Sequence, residues 1–374
     1  MTLSSIPTPF VTIDRARVKA NIDAMQALAR TAGVALRPHA KTHKSTLVAQ
    51  WQLEAGAVGI CCAKLAEAEV FAEAGITDIR IPYPVNPVNA ARVRALLSSG
   101  VTLSIIVDDV DVARQWSDAM AGAGAKLAVL VKVDVGFHRC GIDPDSPHAV
   151  EAIRAVSQLG GLSLRGLLSH AGHSYGAGSA HELAEIADKE IEILRTLAAK
   201  AREAGVEIAE LSVGSTPTAR FIALQKGATE MRPGNYVFYD RTQVGLGATQ
   251  ATACAMSVIA TVVSRPVASR VIFDAGSKTL TSDAARGFGT TTGYGLVYPD
   301  LETDMPQPSI VIERLSEEHA VARVQPNCTL RTGDRVRIVP NHACVVTNLA
   351  NELVLADGLT MVDRIPVSAR GKNF

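Results

Sequence analysis

Val34-Ala-Leu-Arg-Pro-His-Ala-Lys41-Thr-His-Lys44 is an apolar run that ends in a cluster of basic groups. It reads as a short strand whose last residue is a lysine. A lysine held at the end of a buried strand, beside other cations, has its ammonium form disfavoured. That tuning suits Schiff-base chemistry with a carbonyl compound. Taken alone, Lys41 also reads as a surface lysine closing a strand, and the rest of the chain decides between the two.

Outward from this stretch, apolar runs recur at 58–63, 78–82, 102–107, 127–134, 164–170, 209–213 and 229–237. Amphipathic segments lie between them, among them Asp14–Thr31, Lys64–Ala74, Val110–Ala123 and His181–Ala204. Glycines such as Gly33, Gly75, Gly100 and Gly205 close several of the helices. Eight strands alternating with helices predict a parallel (β/α)8 barrel, a TIM barrel, over residues 1–245. Its chemistry is expected at the C-terminal ends of the strands. Past residue 245 the pattern changes. Ala255–Val263, Arg270–Asp274, Ile310–Glu313, Ala320–Val324, Arg335–Val339 and Leu353–Ala356 are strand-like and separated by Gly, Pro and Asp turns. Residues 246–374 are expected to form a β-rich domain.

A chain of 374 residues exceeds one ordinary core, and 47% hydrophobic with 20% charged residues describes a globular protein. Lys+Arg and Asp+Glu balance at 37 each, which gives no electrostatic case for nucleic acid or an anionic membrane as partner. No apolar run approaches the roughly 18 residues of a membrane span. Met1-Thr-Leu-Ser-Ser-Ile-Pro lacks the basic and long apolar regions of a signal peptide, and the cysteines show no paired spacing. A reducing, cytoplasmic setting is expected.

The expected strand ends carry unusual polar groups. The first has His39 and Lys41; the fifth, Gly136-Phe-His-Arg139-Cys-Gly141; the sixth, His170-Ala-Gly-His173-Ser-Tyr175. The seventh ends in Ser212-Val-Gly214-Ser215-Thr216-Pro217, and the eighth in Arg232-Pro-Gly234-Asn235-Tyr236. Gly214-Ser-Thr-Pro opens a helix, where free N–H groups and two hydroxyls make a phosphate cradle. By itself it also reads as an ordinary N-cap with proline in the first turn. The phosphate sites of such barrels favour the loops after strands seven and eight. Lysine, arginines, histidine and cradle together describe a site for pyridoxal phosphate.

With Pro340-Asn-His342-Ala-Cys344 added, these motifs resemble the alanine racemase-type (fold type III) pyridoxal-phosphate enzymes. More narrowly, nearly the whole chain looks like the D-serine dehydratase and D-threonine aldolase group. The resemblance implies that Lys41 holds the cofactor covalently. It places Arg139 near the phenolic oxygen, His170 by the ring and Arg232 at the pyridine nitrogen. Gly214, Ser215, Thr216, Gly234 and Asn235 would take the phosphate. Tyr175 and Tyr236 directly follow site motifs and join the candidates.

His342 and Cys344 follow the apolar strand Val336–Val339. On an extended chain, residues two apart share a face roughly 7 Å apart, and a His–Cys pair suits zinc, with manganese or magnesium as alternatives. Alone, the pair also reads as a packed cysteine beside a surface histidine. The resemblance implies a metal there, since dehydratase-like members carry His-x-Cys where aldolases carry His-x-Asp. It further implies a homodimer acting on a small D-amino acid. The expected reaction is β-elimination of water from D-serine, D-threonine or D-threo-3-hydroxyaspartate, giving a 2-oxo acid and ammonia. The rivals are retro-aldol cleavage to glycine and an aldehyde, and a non-catalytic pyridoxal-phosphate carrier, against which the β-rich domain argues. Among weaker candidates, Cys61, Cys62 and Cys140 read as small core residues, and Glu67 and Glu69 as the exposed face of a helix.

Overall fold

The computed structural model describes residues 1–374 except 123, 223, 225 and 290. The chain opens with strand β1 (Phe10–Asp14) and helix α1 (Arg15–Ala32). Asp14 caps the helix by accepting from the Arg17 N–H at 2.9 Å. Gly33 ends it at φ 66°, in the left-handed region that a Cβ disfavours. Val18, Ile22, Met25 and Ala29 lie on its buried face, the three-and-four spacing of one helical stripe.

The barrel strands follow as β2 (Ala35–Leu36), β3 (Ile60–Cys61), β4 (Asp78–Pro84), β5 (Thr102–Val107), β6 (Leu127–Lys132), β7 (Leu162–Leu168), β8 (Glu210–Val213) and β9 (Glu230–Met231). A helix follows each in turn: α2 (Thr46–Glu54), α3 (Leu65–Glu73), α4 (Ala90–Ser98), α5 (Val110–Ala121), α6 (Ala149–Ser157), α7 (Ala180–Glu203), α8 (Ala219–Ile222) and α9 (Arg241–Gly245). Ala123, the expected end of α5, lies outside the described residues. The strands pair in parallel in the order β2-β9-β8-β7-β6-β5-β4-β3. The ring closes where His39 bridges Cys61, with Val58 N–H donating to the Leu36 carbonyl at 3.0 Å and Cys61 N–H to the Pro38 carbonyl at 2.7 Å. The strand expected over 34–40 is shorter because Pro38 has no N–H to give, and pairing resumes only at His39.

The second sheet contains β10 (Met256–Val267), β11 (Arg270–Phe273), β12 (Leu296–Tyr298), β13 (Val311–Leu315), β14 (Ala320–Arg323), β15 (Arg335–Val339), β16 (Glu352–Asp357) and β17 (Thr360–Pro366), with short helices α10 (Ser277–Leu280) and α11 (Ala343–Leu349). Its order is β13-β14-β11-β10-β1-β16-β17, with β15 on β10 and β12 on β15. The N-terminal strand β1 is thus a member of this sheet, antiparallel to β10 and parallel to β16. The expected division at 245/246 assigns Phe10–Asp14 to the barrel. The structure pairs them with the second sheet, and one apolar core runs from Val11 and Ile13 through the barrel to Ile338 and Leu355.

The floor of the barrel is ionic. Glu230, 5% exposed, accepts from Arg37 Nε at 2.7 Å and also pairs with Arg80 and the Ser212 hydroxyl. Arg80 reaches Glu210 at 2.7 Å, and Arg37 reaches Asp78 at 2.6 Å. Burial alone would raise the Glu230 carboxyl, but Arg80 and Arg37 outweigh it and hold it below its ordinary range. Its contribution is therefore present at neutral pH and is lost as pH falls through the depressed value. Glu230→Ala should cost about 3–5 kcal/mol in denaturant unfolding at neutral pH, since it removes the buried carboxylate that two buried guanidinium groups share and leaves each with one carboxylate partner nearer solvent. Glu230→Gln should also flatten the loss of stability on acidification.

Candidate active site

A cavity of about 360 Å³ opens at the C-terminal ends of the barrel strands, with a second wall from the β-rich half. Lys41 lies on a single 3-10 turn, Ala40–Thr42, whose cap His39 accepts from the Lys41 N–H at 3.4 Å. The expectation of a strand-end lysine in a buried setting is corrected here: the turn exposes Lys41 to the cavity. The enclosed groups are its neighbours. Burial pushes the His39 and His170 imidazoles well below the ordinary value, and the charge of Lys41 adds to it in both. Both rings are therefore neutral near pH 7.

Arg232, 5% exposed, donates to Ser212 Oγ at 2.5 Å and to the Ser169 carbonyl. Arg139 stands on a loop built by Asp134, which accepts from the N–H groups of Gly136, Phe137 and His138 at 3.0–3.1 Å. The Arg139 guanidinium stacks on Phe137 at 5.0 Å, and Phe137 meets His170 edge-on at 5.9 Å. Tyr175 lies on a 3-10 turn at the rim, and burial raises its phenol.

Gly214, Ser215 and Thr216 line the cavity after β8, and Gly234 and Asn235 after β9. Gly214 has φ +105°, open to glycine. Thr216 Oγ accepts from the Tyr236 N–H at 3.3 Å and ties the two loops together. A Cβ on Gly234 would lie 3.0 Å from both Cβ and O of His39. Tyr236 is a correction. Its ring is buried in the core, its hydroxyl accepts from Gln52 at 2.9 Å, and only its backbone serves the loop.

On the second wall, His342 caps helix α11 and Cys344 sits in its first turn, so the pair is not on the extended chain expected. Both still face the cavity. His342 Nδ1 pairs with Asp283 at 2.6 Å. Burial opposes its charge, but Cys344, Asp240 and Asp283 carry the imidazole up to about 10. Burial likewise opposes the Cys344 thiolate, yet His342 and Lys41 bring the thiol down. The sulfur lies 3.2 Å from Thr42 Oγ1, next along the chain from Lys41. Among the described residues no third His, Cys, Asp or Glu completes a metal-binding cluster. An Nε2 and a thiolate fit a soft divalent ion whose remaining positions stay open.

Lys41, Lys132, Arg139 and Arg232 all line the cavity, and among the described residues none of them forms an ion pair. With an N–H cradle beside them, these unneutralised cations fit a phosphorylated, anionic aldehyde.

The sequence reading missed Thr42, Lys132, Asp240, Asp283 and Arg286 in this cavity. Lys132 carries the same signal as Lys41, a lysine closing an apolar barrel strand; the others lie in loops without a pattern. Away from the cavity, Glu67 is corrected from an exposed residue to one 1% exposed, paired with Lys44 at 3.1 Å. Cys140 is half-buried, not in the core.

Fold and cavity define a pyridoxal-phosphate enzyme of the alanine racemase type. The family described as "Alanine racemase, N-terminal domain" matches residues 13–242, and the "Putative serine dehydratase domain" matches 255–356. The chain belongs to the fold type III pyridoxal-phosphate lyases of the D-serine dehydratase and D-threonine aldolase family. It is 35% identical to D-threonine aldolase from Arthrobacter sp, over 99% of this chain and 94% of that one. It is 36% identical to D-threo-3-hydroxyaspartate dehydratase from Delftia sp. (strain HT23), over 92% of each. The solved structure of the Delftia enzyme superposes with a TM-score of 0.91, covering 98% of both chains at 34% identity.

Gly234→Ala should weaken pyridoxal-phosphate binding about tenfold or more, because overpacking drives the loop off His39. Absorbance titration of the apoprotein measures it, and thermal melting should show the fold retained.

Proposed function

We propose that the chain is a metal-assisted dehydratase of 3-hydroxy D-amino acids such as D-serine, D-threonine or D-threo-3-hydroxyaspartate, releasing a 2-oxo acid and ammonia. The observation that carries this reading is the contact between Cys344 and Thr42, which sets the His342–Cys344 pair beside Lys41. Bound pyridoxal phosphate supplies an electron sink that acidifies the substrate Cα–H. A divalent ion, zinc by its donor set, supplies a Lewis acid for the departing 3-hydroxyl.

The chain's own residues do the rest. Lys41 would hold the cofactor, and its amine, when free, would be the base for the substrate Cα proton. Gly214, Ser215, Thr216, Gly234 and Asn235 hold the phosphate. Arg232, fixed by Ser212 and Ser169, offers the ring nitrogen a cation and no carboxylate. Neutral His39 and His170 bring the cofactor's ring no further positive charge. Tyr175 bounds the substrate side. His342, oriented by Asp283, and Cys344 hold the metal. The assembly in this reading is a homodimer, as the family resemblance implies, in a reducing, cytoplasmic setting suited to its free cysteines.

Retro-aldol cleavage to glycine and an aldehyde is the second reading, favoured by the Arthrobacter relative. Cys344 argues for dehydration, because the aldolase pattern has aspartate there. Incubation with each D-3-hydroxy amino acid should yield a 2-oxo acid and ammonia; glycine as the main product overturns the choice. Borohydride reduction and peptide mapping should place the pyridoxyl group on Lys41, and a label on Lys44 or Lys278 refutes that assignment. Chelation should abolish 2-oxo acid release while cofactor absorbance persists. Cys344→Asp should retain metal and lose dehydration; if it dehydrates like the wild type, the cysteine does not select elimination.

A further inference from the structure

Asp240 caps α9, lines the cavity and is fully buried, yet nothing in the proposed chemistry uses it. The chain reaches it through Tyr239, which takes φ +50°, a left-handed conformation that residues other than glycine seldom adopt. The Tyr239 N–H donates to the Asn235 carbonyl at 2.8 Å and closes that turn. Such a conformation persists only where its surroundings over-determine it. Here the surroundings include the hydrogen bonds of Asp240.

Three N–H donors, each from a different element, converge on the Asp240 carboxylate. Oδ1 accepts from the Gln243 N–H of α9 at 3.0 Å. Oδ2 accepts from the Ala343 N–H of α11 at 3.0 Å and from Asn235 Nδ2, on the β9 loop, at 2.5 Å. All three partners donate, so the ionised carboxylate is the form that fits. Burial pushes the carboxyl up, while His342 and these N–H groups oppose the rise.

Both bonds on Oδ2 bear on the His342–Cys344 pair. Ala343 stands between the two, so holding its N–H holds the backbone from which both side chains project. The Asn235 amide nitrogen has two hydrogens to give, and Cys344 Sγ lies 3.8 Å from it. Turning this amide over would set its oxygen against the carboxylate, so Asp240 decides which end faces the sulfur. That orientation is kept although it leaves Asn235 Oδ1 buried without a partner among the described residues. Neighbouring bonds strap the same two segments together, from the Arg241 N–H to the Pro340 carbonyl at 3.0 Å and from Thr242 Oγ1 to the Asn341 carbonyl at 2.8 Å. Asp283 meets the His342 ring from an exposed loop, whereas Asp240 holds the backbone from the buried side.

We propose that Asp240 is the positioning residue that holds His342 and Cys344 in the arrangement a metal takes. The inference rests on the metal reading of that pair and is independent of the choice between dehydration and aldol cleavage.

The test is metal binding by wild type, Asp240→Ala and Asp240→Asn. Each protein, freed of metal by chelation, is titrated with zinc against a chromophoric chelator. Each is also titrated with cobalt(II), whose absorption bands report the ligands and their geometry. Melting of the metal-free proteins measures the fold. Asp240→Ala should bind zinc about tenfold or more weakly, as loss of a residue that orients metal ligands does. Its cobalt spectrum should change, with a weaker thiolate-to-cobalt band. Asp240→Asn keeps the volume and one acceptor oxygen. It should lose severalfold in zinc affinity, and it carries the test if Asp240→Ala does not fold. A residue that serves only the fold would lower the melting temperature and leave both metal readouts of the folded protein as in wild type, which overturns the proposal. So do unchanged metal readouts with unchanged melting. Wild type that binds neither zinc nor cobalt overturns the metal reading itself, and the inference with it.

Discussion

The barrel closes at a short seam, where His39 bridges Cys61 and the Val58 N–H donates to the Leu36 carbonyl, and the active-site wall is built outward from it. The adjoining strands β2 and β3 are each only two residues long, so little else holds the ring there. Two residues beyond the bridge the chain turns and presents Lys41. Gly234 packs so closely on His39 that a Cβ would come within 3.0 Å of it, which seats the β9 loop on the same point. Thr42, one step further, touches the Cys344 sulfur and so registers the second half against the first. A displacement at the seam would move the lysine, the β9 loop and the thiol together, because packed interiors transmit small shifts.

Charge is distributed unequally along the barrel axis. At the floor, Arg37 and Arg80 are matched by Glu230, Glu210 and Asp78. At the mouth, Lys41, Lys132, Arg139 and Arg232 line the cavity, and among the described residues none of them has such a partner. Ser212 spans the two regions, bonded to Glu230 below and Arg232 above. The floor is therefore a closed network whose energy goes into the fold, whereas the mouth holds cationic groups ready for an anionic ligand. Clustered like charges, two of them the buried Lys132 and Arg232, are poor for stability and good for binding, the usual trade at a functional site.

The second half enters the site through the start of α11. Helix geometry replaced the extended His342–Cys344 pair without separating the two side chains from the cavity, since the cap residue and the first turn of a helix project to the same end. Asp283 then fixes the imidazole from another loop through a 2.6 Å contact with His342 Nδ1.

The alternation of apolar runs and amphipathic segments, a local and periodic property, was enough to read the eight barrel strands and most of the helices. Gly214 and Arg232 follow barrel strands, where barrel chemistry collects, whereas His342 follows β15 of the second sheet and stood out through the family resemblance. Phe10–Asp14 was illegible because a short strand before a helix looks like the first βα unit, and only its pairing with β10 and β16 puts it in the other sheet. Glu67 looked like a solvated helix face until Lys44 was folded over it, and Tyr236 looked like a ligand until its ring turned to Gln52. The matched floor and the unmatched mouth are likewise invisible along the chain. Which charges find partners depends on distances across the barrel between residues up to 193 positions apart, as in Arg37 with Glu230. Only closure of the sheet sets those distances.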